Sequence, residues 1–128
     1  MKQLFQAAGL MAGAALTANT QVPFSTKTTE VMVRMTPKPG VQREQIQKVM
    51  PEEVRATVRL YVEGKIRQWY SRSDGRGVVF IVNATSVAEA EALIGALPLS
   101  KANLVDDEYT ELGPLAPLGS LIAPNPSR

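Results

Sequence analysis

The stretch IRQWYSRSDGRGVVFIVN, residues 66–83, decides the fold. Two strand-like runs, 66–72 and 77–83, flank Ser73-Asp74-Gly75-Arg76. An Asp-Gly pair between such runs is a strong hairpin signal, so the two are expected to pair antiparallel. In the second run Val78, Phe80 and Val82 point one way and Val79 and Ile81 the other, which makes both faces apolar. A strand with one solvated face would alternate with polar residues, and this one does not. Both faces therefore need cover.

Upstream of the hairpin, Val31 to Met35 is a short apolar strand interrupted by Arg34 and ended by Thr36-Pro37-Lys38-Pro39-Gly40. From Val41 to Glu63, Ile46, Met50, Val54, Val58 and Tyr61 recur at steps of four, four, four and three, the period of one helical face. Gly64 is placed to cap that helix. Pro51 has no backbone N–H to donate, so a short helix followed by a longer one is expected, with Glu52 and Glu53 in the first turn of the second.

Downstream, Ser86-Val87-Ala88-Glu89 is a capping box, and Val87, Ala90, Leu93, Ile94 and Leu97 follow at helical spacing until Leu97-Pro98-Leu99. Leu104 to Leu112 supplies a last strand. The order β-α-β-β-α-β reads as an α+β fold, a ferredoxin-like unit with a four-stranded antiparallel sheet and both helices on one face. Its bare face is expected to meet a second copy in a dimeric α/β barrel.

Composition sets limits on this reading. With 128 residues, 45% of them apolar and 20% charged, there is material for one ordinary core. The domain is placed at about residues 30–115. The formal charge of +2 lies outside it: between Val31 and Leu112, 11 Lys and Arg stand against 11 Asp and Glu. A neutral domain offers no basic stripe for phosphates, so no nucleic-acid partner is expected.

There is no Cys and no His, which removes thiolate nucleophiles, imidazole bases and the usual zinc and haem ligand sets. Chemistry must rest on carboxylates, Arg, Lys, Tyr, Trp, Ser and Thr. Residues 1–25 carry Lys2 and an apolar run from Leu4 to Leu16, too short to span a bilayer. They read as an export signal or as an N-terminal helix of a cytoplasmic protein, outside the core in either case, and no stable membrane insertion is expected. Residues 116–128 read as a proline-rich arm.

Four groups of residues carry a resemblance: Val33-Arg34-Met35, Gly64-Lys65-Ile66-Arg67-Gln68-Trp69, Leu97-Pro98-Leu99, and Gly113-Pro114-Leu115-Ala116. In that order and spacing, over roughly residues 30–122, the chain resembles the muconolactone isomerase family. It departs from the family at Gln68 and Trp69, where the family has a His and an aromatic residue. The resemblance implies a dimeric α/β barrel, commonly built into larger rings, with a small-molecule pocket between sheet and helices. It also implies a proton transfer on an unsaturated lactone that uses no cofactor.

Such a reaction needs a base for the carbon-bound proton and a donor for the enolate oxygen. Arg34 is the candidate donor, because a cation in an apolar strand is costly unless it faces a pocket or a partner, a strand-edge pairing with Glu30 or Glu111 being the alternative. Glu111, near the family's acidic position, is the candidate base. Asp106, Asp107 and Glu108 are consecutive and so alternate across the sheet, and no metal is expected there. Gln68, Trp69 and Tyr70 are candidate substrate-binding residues. Trp69 and Tyr70 are neighbours on one strand and must face opposite ways, so at most one can line the pocket, and Trp69 suits core packing better than substrate binding.

Three functions fit: a cofactor-independent isomerase acting on a small unsaturated lactone or related cyclic acid, a cofactor-free monooxygenase or polyketide-modifying enzyme, and a non-catalytic ligand-binding oligomer. Fold alone does not choose among them.

Overall fold

The computed structural model describes residues 26–115 and residue 122. The signal-like segment 1–25 and the arm 116–128 lie outside the described residues, apart from that one position. Residues 26–115 form one compact unit. In chain order its elements are β1 (Glu30–Pro37), α1 (Arg43–Val62), β2 (Ile66–Ser71), β3 (Val78–Val82), α2 (Val87–Ile94), α3 (Pro98–Lys101) and β4 (Val105–Leu112). The four strands make one antiparallel sheet in the order β2-β3-β1-β4, the ferredoxin-like arrangement expected from the sequence.

Strand alternation sets the layers. Val31, Val33 and Met35 of β1 are buried, and with Phe80, Val82, Ile66 and Val105 they form the sheet's share of the core. The helical layer answers with Ala90, Ile94, Leu97 and Leu99. The other face of the sheet carries Met32, Arg34, Val79 and Ile81, and the three apolar members of this set are only half-buried.

The hairpin forms where Asp74-Gly75 placed it, but its loop is wider than a two-residue turn. The strands end at Ser71 and begin at Val78, and the loop is closed by Arg72 N–H donating to the Gly77 carbonyl at 2.9 Å. Gly75 takes φ +73°, and Asp74 accepts the Arg76 N–H through Oδ1. Gly77 stands at φ +124°, where a Cβ would collide with the Met35 carbonyl, so the loop lies tight against β1.

Two expectations for the first helix are corrected. It is one continuous helix through Pro51, not a short helix followed by a longer one. Pro51 and Gln47, whose carbonyl loses its donor, are both exposed, so the missing hydrogen bond falls on the solvent side. The stripe Met50, Val54, Val58 and Tyr61 is also not the buried face, with Val54 at 49% and Tyr61 at 52% exposure. The helix turns inward the neighbouring face of Val49, Glu53, Ala56, Thr57 and Leu60. Its C-terminus behaves as read: Gly64 N–H donates to the Tyr61 carbonyl at 3.0 Å and Lys65 N–H to Leu60 at 2.8 Å, a Schellman closure.

The second helix is shorter than its apolar spacing suggested, ending at Ile94 with Gly95 as cap. Ser86 caps its start, accepting the Glu89 N–H at 3.1 Å, while the Glu89 carboxylate reaches one residue further back to the Thr85 N–H. Pro98, read as a stop, sits in the first turn of the short helix α3 instead.

Candidate functional site

Between the inward side of α1 and the half of the sheet formed by β1, β2 and β3 lies a cavity of about 490 Å³. That volume is within the range of about 300–1,000 Å³ usual for small-molecule sites. Met35, Val78 and Phe80 form its floor, Ile46, Met50 and Val54 its helical wall, and Trp69 its flank at the edge strand. It opens because the register of α1 sets the Met50 and Val54 stripe beside the core instead of into it. The stripe that failed to enter the core lines the cavity and its surroundings.

The polar groups on this apolar surface are few. Glu53 lies on the cavity wall and is only 5% exposed. Its Oε1 accepts the Leu99 N–H at 2.8 Å, tying α1 to the start of α3. Burial holds its carboxyl above the usual carboxylate range, the Leu99 hydrogen bond opposes this, and the nearby Asp107 carboxylate adds to it. Thr57, one turn on, also lines the cavity but spends its hydroxyl on the Glu53 main-chain carbonyl at 2.7 Å. At the rim are Ser71 and Arg72, contributed by the end of β2 and the hairpin loop.

Asp107 stands behind this site. It faces inward from β4, where Ser100 donates to its Oδ2 at 2.7 Å, and its Oδ1 is a buried acceptor without a partner among the described residues. Burial raises its pKa, the Ser100 hydrogen bond acting against that and the Asp106 charge reinforcing it. Its neighbours Asp106 and Glu108 point the other way, toward Lys38 at 3.9 Å and Arg34 at 3.3 Å. The three consecutive acids thus alternate as expected. Among the described residues no group of three carboxylates is arranged to hold a metal.

The residues singled out from the sequence are spread over both faces of the sheet. Arg34 lies on the open face, half-exposed and paired with Glu108 instead of Glu30 or Glu111. Glu111 points to the helical face at the far end of β4, where Oε1 accepts from the Thr28 hydroxyl and Oε2 from the Val87 N–H at the start of α2. Within one protomer these two do not meet, and neither lines the cavity. Gln68 and Tyr70 share the open face, with the Tyr70 hydroxyl donating to Gln68 Oε1 at 2.9 Å.

Trp69 is the one substrate-binding candidate that reaches the cavity, and it does so half-exposed with Tyr61 packed edge-on at 5.4 Å. A bulge between Ile66 and Gln68 breaks the simple alternation and frees Arg67 to pair with Glu30 at 3.1 Å.

Glu53 was missed by sequence reasoning, which read it as a first-turn acid after Pro51. Its signal was present: Val49, Glu53, Ala56 and Leu60 recur at steps of four, three and four, so the carboxylate interrupts a second apolar stripe beside the obvious one. No family model matches the chain, and no curated protein does.

Proposed function

We propose that this chain is a cofactor-independent enzyme that moves a proton on a small unsaturated lactone or related cyclic acid, with Glu53 as the proton carrier. The observation that carries this reading is a buried carboxyl on the wall of a mostly apolar cavity. Desolvation raises the pKa of a carboxyl and so makes its carboxylate a stronger base, which suits a group that must both take and return a proton.

The step balances without another reagent. Glu53, as carboxylate, takes a proton from carbon beside the substrate's unsaturated carbonyl. The C–H electron pair moves into conjugation as a dienolate, and the same carboxylic acid returns the proton to the carbon at the other end. Ser71 and Arg72 are the rim donors on the cavity. The resemblance to the muconolactone isomerase family points to the same reaction class, with the base now assigned to Glu53 in place of Glu111.

The working unit in this proposal is a homodimer or larger ring in which a second copy covers the open face. Met32, Val79 and Ile81 support this, since they form an apolar centre among the polar residues of that face. The test is double-bond migration and deuterium uptake by muconolactone and related lactones. A protein that binds such acids and exchanges none of their carbon-bound protons would instead be a ligand-binding oligomer.

A further inference from the structure

Among the described residues two charged side chains line the cavity, and they have opposite signs and opposite places: Glu53 on the buried wall and Arg72 at the rim. Arg72 is held there by its own loop. Its N–H donates to the Gly77 carbonyl, its carbonyl accepts the Gly75 N–H, and one guanidinium nitrogen, Nη2, reaches Asp74 Oδ2 at 2.6 Å. The Asp74 carboxylate is itself fixed by the Arg76 N–H, so the cation sits in a built frame. The close approach of Gly77 to Met35 presses that frame onto the sheet.

The guanidinium is not used up by this frame. Of its five N–H donors, one contact engages Asp74, and Nη1 makes only a long 3.5 Å approach to the Arg76 carbonyl. The side chain is 23% exposed, so an anion reaching it from the cavity would be partly withdrawn from water, where such a pair is stronger than on an open surface. Met50, Val54 and Trp69 line the same cavity and supply apolar surface for the body of a ligand.

The geometry points to Arg72 as the anchor for a carboxylate on the substrate, which selects small acids with an apolar body and orients them with the anionic end at the hairpin and the reacting carbon toward Glu53. The inference rests on the proton-transfer reading for the second half of that statement only; recognition of the acid stands by itself. An anion held at the rim also stays clear of the Glu53 carboxylate, which would repel it on the wall.

The test uses the full chain and two probes with the same apolar body, anionic cinnamate and its neutral ester methyl cinnamate, titrated by NMR chemical-shift change. The wild type should bind the acid at least tenfold more tightly than the ester. Arg72→Gln should erase that preference by weakening the acid alone, and Arg72→Lys should restore part of it. Equal affinity for acid and ester in the wild type, a measurement that needs no variant, would overturn the anchor, as would an undiminished preference in a folded Arg72→Gln. An acid preference without any carbon-proton exchange would keep the anchor and remove the isomerase reading. Exchange lost in Glu53→Gln without an acid preference would do the reverse.

Discussion

The Leu99 backbone N–H donates to Glu53 Oε1 across 2.8 Å, joining residues 46 positions apart in the chain. This bond fixes the rotation of α1, holds the carboxyl at the cavity wall, and gives Glu53 a structural duty beside its proposed chemical one.

The two duties separate by substitution. Glu53→Gln keeps an oxygen for the Leu99 N–H and removes the titrating proton, so thermal stability should be retained while proton exchange falls by about 10²-fold or more. Glu53→Ala leaves a buried N–H unpaired and should cost about 1–3 kcal/mol in urea unfolding.

Stability should depend on pH with an unusual sign for acidic groups. Glu53 and Asp107 both have folded-state pKa values raised above 4.5 and 3.8, chiefly by burial. Between those values and the raised ones the folded state binds more protons than the unfolded state. Their contribution is therefore fully present below the unfolded values and is lost as pH rises through the folded ones. Urea midpoints measured from pH 4 upward should decline, and the decline should be shallower in Glu53→Gln; a midpoint that rises over this window would contradict the burial of these two groups.

Pro51→Ala should stabilise the protein, by up to about 3 kcal/mol, because Ala restores the donor to the Gln47 carbonyl and relieves the ring's constraint within a continuous helix. Thermal denaturation with circular dichroism reads this directly. An unchanged midpoint would mean the helix pays nothing for its proline.

Most of the fold was legible because hairpin, strand alternation and capping signals are local. Asp74-Gly75, Gly64 and Ser86 each act within a few residues, and each does in the structure what its type suggests. The rotation of α1 was not legible. Two apolar stripes lie side by side on that helix, and the choice between them is made by Leu99, far along the chain. The stripe with the larger side chains stayed outside, where Met50 and Val54 wall the cavity. For the same reason Glu53 passed for an ordinary first-turn acid. Arg34 and Glu111 drew notice for their residue types, and only strand register places them on opposite faces.

The apolar centre of the open face gives a test of assembly. Ile81→Glu puts a charge between Met32 and the neighbouring strand residues of that face while leaving the helical core untouched. If a second copy covers that face as proposed, sedimentation should show a dimer for the wild type and a monomer for Ile81→Glu, with circular dichroism preserved. A wild type that sediments as a monomer at high concentration would contradict the role of a second copy.

The most direct test of the central claim is NMR of the full chain with muconolactone and related unsaturated lactones in deuterated water, for the wild type and Glu53→Gln side by side. The account predicts double-bond migration or deuterium uptake in the wild type and its loss in Glu53→Gln. Exchange at the same rate in both proteins, or none in either, would contradict it.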